Sequence, residues 1–175
     1  MGFLEILIVA LLILLNAFFA LSEFAIVSSR RGRLEQLAVE DHGGAQSAIA
    51  LADDPARVLA TVQIGMTLTQ TLAGAFSGAT LAGRIEDWLA PFPLIGPYGK
   101  SAAVAAIVVV VSYLTLIIGE LFPKNVALAT PETVAIRIAQ PLTWFARAAR
   151  PLVSLLDVST RFVLRSTGYG PPLER

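Results

Sequence analysis

The stretch AAVAAIVVVVSYLTLIIGELFPKN, residues 102–125, joins a long apolar run to a carboxylate, a proline and a lysine. Residues 102–118 carry no charge and form most of the roughly 20 residues that a membrane-spanning helix needs. Glu120 follows, and Pro123 lacks the N–H that the carbonyl of Gly119 would use in a regular helix. The stretch therefore predicts a membrane helix that is broken beside an acid.

The overall composition also indicates a membrane protein. Hydrophobic residues make up 55% of the 175 residues and charged residues 15%, whereas a soluble domain is about one quarter charged. The formal net charge of zero gives no electrostatic basis for binding nucleic acid. With no cysteine and a single histidine, His42, thiolate and multi-histidine metal sites are excluded. Common catalytic and phosphate-binding motifs are absent, so we predict that the chain is not an enzyme.

Two further segments give a prediction of three transmembrane helices in an all-α membrane protein. Residues 6–21 (ILIVALLILLNAFFAL) contain Asn16 as their one strongly polar side chain. Residues 56–81 are less apolar, and we interpret them as a span that faces other helices more than lipid. A secretory signal peptide is the alternative for the first segment, but its basic residues follow the apolar run instead of preceding it. The predicted three-span domain covers residues 1–135.

Basic residues are concentrated after the first and third predicted spans. The positive-inside rule then places the N-terminus outside and the C-terminus in the cytoplasm, with the chain crossing the plasma membrane three times. The basic residues that follow these two spans are Arg30, Arg31, Arg33, Lys124, Arg137, Arg147, Arg150, Arg161 and Arg165.

Shorter helices are predicted on the cytoplasmic side. Residues 31–52 form two juxtamembrane helices, separated by HGG at 42–44, and DDP at 53–55 is a typical start for the second span. Residues 136–168 space arginines through apolar positions, which predicts amphipathic belt helices along the membrane surface. A fourth span is the alternative there, and the prolines and arginines of the segment argue against it.

The opposite side of the membrane is predicted to carry a proline-rich loop, PFPLIGPYG at 91–99. Two aromatic residues are predicted to anchor it at the membrane interface, Trp88 and Tyr98.

Three groups of polar residues fall within the predicted spans, where polar groups are costly and tend to mark sites or pathways. The predicted topology puts the three groups at similar depth. Simpler roles remain open: Asn16 and Gln63 could bond between helices, serines could bond back to the preceding turn, Glu23 could pair with an arginine, and Glu120 with Lys124. The groups are Asn16, Ser22, Glu23, Ser28 and Ser29, then Gln63, Thr67 and Gln70, and finally Gly119 and Glu120.

The third group suggests a specific chemistry. A Gly119 carbonyl freed by Pro123, next to the Glu120 carboxylate, is a pair of hard oxygen ligands that hydroxyl and amide oxygens can complete. Such ligands suit Mg²⁺ or Ca²⁺ and not zinc or copper. Transporters tolerate broken helices where these line an ion site. The sequence therefore predicts a cation site within the spans.

Three motifs also carry a family resemblance. NAFFALSEFAIVSSRRGRL (16–34), TVQIGMTLTQTL (61–72) and GELFPKNVALATPE (119–132) resemble the transmembrane domain of the CorC/CNNM (cyclin M) family of magnesium transporters. The resemblance covers most of residues 3–135, and the first and third motifs are fairly specific together.

The resemblance implies a homodimer of three-span subunits in the lipid membrane that exports Mg²⁺ in exchange for Na⁺. It implies a dehydrated Mg²⁺ site near the middle of the domain. Family members continue into cytoplasmic CBS domains, so this chain, which stops at PPLER, is expected to be a truncated form. The implied metal ligands are Ser22, Ser28, Gly119 and Glu120, with Asn16 and Gln63 at further polar positions of the motifs.

Alternatives to this function and assembly remain open at the level of sequence. A membrane sensor or anchor that binds Mg²⁺ without moving it would use the same ligands. The GAFSG motif, with Gly74 and Gly78, can bring helices close together, either between two subunits or within one.

Overall fold

The computed structural model describes residues 2–40, 42–80 and 99–167, and these are helical apart from short turns, with no strand among them. Residues 91–98 of the outer loop predicted at 91–99 lie outside the described residues, as do Trp88 and Tyr98. The elements in chain order are α1 (Gly2–Ser28), α2 (Arg31–Val39), α3 (Ala45–Ala52), α4 (Pro55–Thr80), α5 (Gly99–Leu116), a π-helical turn (Ile117–Leu121), α6 (Phe122–Ala129) and α7 (Pro131–Ser166).

Two continuous helical stretches are long and apolar enough to cross a membrane, Phe3–Ser28 and Ser101–Ala129, with mean hydropathies of 2.7 and 2.6. Only 28% and 17% of their most apolar windows are buried. A core helix of a soluble protein would bury most of such a surface, so these faces suit lipid. Helix α4 has 26 residues and a length of about 40 Å, but its amides and hydroxyls lower its hydropathy. Its role as a third span stays a prediction.

Helix α1 lies at the centre of the packing and contacts α4, the π-helical turn, α6 and α7. The main apolar core surrounds its C-terminal half, whereas its N-terminal half exposes large apolar residues. The largest core side chains come from α1, α2, α3, α4 and α7, and they include Phe19, Ile26, Leu34, Leu51, Val58, Val62, Val134, Ile138 and Leu142.

A column of small residues lets α4 approach α1 closely. The ring of Phe19 lies directly over Gly65, where an added Cβ would stand 2.5 Å from the ring. Phe145 covers the same ring, with 4.6 Å between ring centroids. The buried small residues of α4 recur every four positions, at Thr61, Gly65, Thr69, Ala73 and Ser77.

Residues 31–52 form two short helices, α2 and α3, which are separated at HGG as predicted. Their position next to a membrane stays a prediction. Gly44 adopts a φ of 94°, and an added Cβ would lie 2.4 Å from the Ile136 carbonyl oxygen of α7. Arg31 bonds to Glu35 at 2.9 Å and also pairs with Asp53, which ties α2 to the start of α4. The turn therefore depends on a glycine that presses against α7.

Helix α7 differs from the expected set of belt helices. It is one continuous helix of 36 residues that contains Pro141 and Pro151, and it runs through residue 135, where we expected the transmembrane domain to end. Its first half packs on the core and its second half is largely exposed. The prolines are tolerated as part of a single helix whose alignment with a membrane surface stays a prediction.

Candidate functional site

The break predicted at Pro123 is present as the π-helical turn Ile117–Leu121. Pro123 has no N–H to offer the carbonyl of Gly119, and the N–H of Phe122 bonds back five residues, to the carbonyl of Ile117. Turns of this kind are rare and occur frequently at functional sites. The helix therefore widens where the sequence carries Gly119 and Glu120.

Asn16 fills the space beside this turn. Its Nδ2 donates to the Gly119 carbonyl oxygen at 2.9 Å, and its Oδ1 accepts from the Thr69 hydroxyl at 3.1 Å. All three residues are buried, and they belong to α1, α4 and the turn. One amide thus links three elements, which bears out the simple prediction that Asn16 bonds between helices.

Gly119 is small for a reason that the structure makes clear. An added Cβ would lie 3.0 Å from Asn16 Nδ2 and 3.4 Å from the carbonyl oxygen of Ile13. Any larger residue would therefore push the turn away from α1 and lengthen the hydrogen bond.

The Thr69 hydroxyl lies within hydrogen-bond distance of three acceptors but has one hydrogen to donate. It lies 2.9 Å from the Gly65 carbonyl oxygen and 3.0 Å from that of Met66, in addition to Asn16 Oδ1. A hydroxyl has one hydrogen to donate, so only one of the three bonds can be fully formed at a time. Asn16 Oδ1 and the Gly119 oxygen therefore retain capacity to accept a further partner.

Glu120 is part of the turn and is half-buried at a cleft of about 270 Å³. It makes no ion pair with Lys124 within the described parts of the chain. The Lys124 ammonium instead lies over the ring of Phe24, 4.2 Å from its centroid. The other residues that line the Glu120 cleft are Gln70, Gly74, Val111, Ser112, Thr115 and Leu116.

A second carboxylate is close to this cluster. Glu23 of α1 is half-buried and lies within electrostatic range of both Glu120 and Lys124. Among the described residues it has no arginine partner. The site thus combines two carboxylates with one ammonium, while no group of three His, Cys, Asp or Glu side chains that could hold a metal occurs in the described ranges.

The two serines predicted as ligands lie in different surroundings. Ser22 is fully buried and donates to the Phe18 carbonyl oxygen at 2.7 Å, so the predicted backbone bond is present and its oxygen can still accept. Ser28 is half-buried at another cleft, of about 500 Å³, near Arg30, Arg33 and Glu132. The structure does not bring Ser28 together with Glu120 in one cleft.

Gln63 also lies apart from Asn16 and Gly119. It is exposed and lines an apolar groove with Thr67, Leu152 and Leu156. The structure therefore groups Asn16, Gly119 and Glu120, and leaves Gln63 on another face of α4. The metal-binding role of all six residues stays a prediction.

Thr69 is the member of this cluster that the sequence reasoning missed. The residues of α4 that the sequence predicts at the site, Gln63, Thr67 and Gln70, are among its most polar groups and lie on exposed faces. The buried face is marked instead by small residues at four-residue spacing, a pattern typical of close helix packing in membranes, and Thr69 is the polar member nearest Asn16.

Comparison with known proteins finds a family profile and several relatives that align with most of the chain. The chain matches the family profile "Cyclin M transmembrane N-terminal domain" over residues 6–174. It is 44% identical over 165 residues to the UPF0053 protein sll0260 of Synechocystis, an alignment that covers 94% of this chain and 37% of that protein. It is 31% identical over 168 residues to the UPF0053 protein YhdP of Bacillus subtilis, with 96% and 38% covered.

A further relative has a functional name. The chain is 27% identical over 161 residues to the polyamine export protein of Salmonella typhimurium, with 92% of this chain and 36% of that protein covered. The chain spans less than two fifths of the length of each of these three curated relatives. Its profile match includes α1, α4, the π-helical turn and α7, which together build and flank the site, and the chain is a membrane protein that belongs to the cyclin M family through its transmembrane N-terminal domain.

Proposed function

We propose that this domain exports Mg²⁺ across the plasma membrane in exchange for Na⁺. The observation that carries the proposal is the buried hydrogen bond from Asn16 to the Gly119 carbonyl, directly beside Glu120. It gathers a main-chain carbonyl, an amide and a carboxylate at a break in an apolar helix, and such oxygens are the ligands that Mg²⁺ prefers. Broken helices in transporters hold ions in the same way.

The charge of the proposed site suits release as well as binding. Neutral oxygens with one or two carboxylates neutralise a divalent ion without trapping it. Lys124, in electrostatic range of Glu23, offsets part of the negative charge while no cation is bound. Na⁺ would compete for the same oxygens, which gives exchange a physical basis.

Asn16 supports a specific switch on binding. Its Nδ2 donates to the Gly119 carbonyl oxygen at 2.9 Å. Turning the amide by half a turn would present Oδ1 to a cation held by Gly119 and Glu120. Thr69 can then accept from Nδ2 and donate to Gly65, whose carbonyl oxygen is already 2.9 Å away. We propose that this exchange of partners accompanies Mg²⁺ binding.

The assembly and orientation form part of the same proposal. Three spans with the N-terminus outside, a belt formed by α7, a homodimer and cytoplasmic CBS domains in the longer protein are the expected setting. Gly74 and Gly78 support the dimer, because an added Cβ at either position would meet no described residue of the same subunit within 4 Å. Their open face on α4 can accept a second copy.

Flux into sealed vesicles tests the proposal. Purified protein in vesicles should move Mg²⁺, and an opposing Na⁺ gradient should accelerate the movement. Empty vesicles and vesicles with Glu120→Gln are the controls. Mg²⁺-dependent stabilisation of the protein without any flux would instead indicate a sensor or anchor, and equal flux with and without the gradient would exclude the coupling.

Polyamine export is the second candidate, and one contact favours it. The Lys124 ammonium lies over Phe24, in electrostatic range of Glu23, so the site already accommodates an alkylammonium group. One relative is named a polyamine export protein. The same vesicles loaded with spermidine distinguish the two: spermidine flux with no Mg²⁺ flux would favour this candidate.

A further inference from the structure

A group of arginines lies away from the candidate site, where α3, α4 and α7 meet. Arg57, Arg147 and Arg150 line a cleft of about 210 Å³ together with Thr143. Arg57 and Arg150 also line an adjoining cleft of about 390 Å³. The three arginines therefore line two adjoining clefts, which share Arg57 and Arg150.

The guanidinium groups of these arginines have no acidic partner in the part of the chain that the structure describes. None of the three forms an ion pair within the described residues, whereas Arg31 contacts two carboxylates. Asp54 and Asp157 line the clefts, but Asp54 uses Oδ1 to accept the Arg57 backbone N–H at 3.3 Å. In the smaller cleft the three arginines thus face one carboxylate, Asp54, so this cleft is complementary to an anion. The larger cleft has two arginines and two aspartates and adds no excess of positive charge.

An apolar groove begins at the same place. It has a volume of about 430 Å³ and runs between α4 and α7, and Ala60 lines both the groove and the adjoining arginine cleft. Most of its wall is hydrocarbon, from Ile64, Leu68, Leu152 and Leu156. The arginine-lined cleft is complementary to an anionic headgroup, and the adjoining apolar groove is complementary to an acyl chain. Together they match the two parts of a phospholipid.

We propose that these features form a binding site for one anionic phospholipid. Arg57 and Arg150, with Arg147, hold the headgroup phosphate, because guanidinium groups bind phosphate through paired N–H donors. One acyl chain lies in the groove along α4. Basic pockets at the cytoplasmic face of membrane proteins suit anionic headgroups, and the distribution of basic residues predicts that face here.

Native mass spectrometry of the full chain in a mild non-ionic detergent tests this site. The probes are phosphatidylglycerol, phosphatidylcholine with the same chains, and glycerol phosphate. The wild type should retain one phosphatidylglycerol per chain at concentrations where phosphatidylcholine is not retained. The double variant Arg57→Gln/Arg150→Gln should weaken that retention about tenfold or more, since each lost bond involves a charged group.

Matched variants keep the result interpretable. Arg161→Gln removes an exposed arginine of α7, the helix of Arg150, that lines neither cleft. This variant should retain phosphatidylglycerol as well as the wild type does. Leu156→Gln changes the groove alone and should weaken retention of the lipid. Arg57→Lys/Arg150→Lys keeps the charge, so intermediate retention by a monodisperse sample supports bidentate phosphate binding even if the glutamine variant is poorly folded.

Three outcomes would overturn the proposal. Equal retention of phosphatidylcholine would show that charge is irrelevant, and equal binding of glycerol phosphate would show that the groove is not involved. If the arginine variants lower the dimer fraction and leave lipid retention unchanged, a second copy of the chain occupies the surface.

Discussion

Asn16 shows how one side chain can hold a site together in a chain with few polar groups. Its amide bonds to Gly119, which is 103 positions away, and to Thr69 of α4. A buried amide whose partners are removed loses more free energy than the hydrogen bonds themselves contribute, because water cannot replace them. The stability of this cluster and its proposed ability to bind a cation therefore depend on the same amide and carbonyl atoms.

The charge of Glu120 should determine cation-dependent stability. A ligand at about 100 times its dissociation constant stabilises a protein by about 2.7 kcal/mol, and this gain requires binding to the folded state. Glu120→Gln keeps the shape and removes the charge, so the shift of Tm with added Mg²⁺ should be largely lost. Thermal unfolding with and without Mg²⁺ measures it. Glu40→Gln, at an exposed position just after α2, is the control. An unchanged Mg²⁺ shift in Glu120→Gln would assign Glu120 a structural role.

Thr69 should matter more than its neighbour Thr61. Thr69→Val leaves Asn16 Oδ1 without its hydroxyl donor and should destabilise the protein by about 1–3 kcal/mol. Thr61 is also buried on the same face, but its hydroxyl bonds only to the Arg57 carbonyl oxygen, at 2.8 Å, so Thr61→Val should cost less. Denaturation of both variants in the same detergent compares them. Equal losses would mean that the bond to Asn16 contributes little.

At the scale of the element, the position of the helix break can be predicted from the sequence. The residues of α1 and α4 that contact the break cannot be predicted in this way. A missing N–H at Pro123 is a local property, so the break beside Gly119 could be predicted. Which residue of α1 or α4 fills the space depends on how each helix is rotated, and this is set by the small residues at Gly65 and Thr69. The strongly polar Gln63 was predicted at the site, yet it lies on an exposed face because the small-residue face of α4 packs on α1.

Restoring the missing N–H should remove the special geometry of the turn. Pro123→Ala gives Gly119 a backbone partner and permits a regular helix, so Mg²⁺-dependent stabilisation should fall while stability without Mg²⁺ stays equal or rises. Pro141→Ala, within α7 and distant in sequence from the turn, is the matched control. Paired thermal unfolding curves check both, and a Pro123→Ala protein with an undiminished Mg²⁺ response would show that the π-helical turn is not needed.

The close approach of α1 and α4 should be sensitive to a single methyl group. Gly65→Ala places a carbon 2.5 Å from the Phe19 ring, which is itself held by Phe145, and should destabilise the protein by about 1–3 kcal/mol. Gly32→Ala lies in α2, where an added Cβ meets nothing within 4 Å, and should be neutral or slightly stabilising. Chemical denaturation distinguishes them, and equal effects would mean that the ring can move aside.

At the scale of the whole molecule, the sequence predicted the helical class, the juxtamembrane pair and the two most apolar spans, because each depends on composition or on nearby turn residues. It did not predict that α7 is a single helix. The segment is predicted as more than one belt helix, but α7 packs on α1, α3 and α4, and this packing stabilises a single helix through Pro141. Tertiary contacts here outweigh a local preference.

The dimer prediction belongs to this scale. Gly74→Leu/Gly78→Leu fills the open face of α4 and should shift the protein from dimer to monomer, because close helix contact requires small residues. Ala79→Leu, at an exposed position next to this face, is the control. Size-exclusion chromatography with light scattering measures the mass. A double variant that stays dimeric would place the interface elsewhere.

The unbroken course of α7 has a mechanical consequence. Its 36 residues run for about 54 Å along the helix axis, and its N-terminal part places the Ile136 carbonyl against Gly44, just ahead of α3. Because α7 is one continuous helix, a tilt of its C-terminal end would move the loop at Gly44. Through α3, the same tilt would reach the first turn of α4, the helix that carries Thr69.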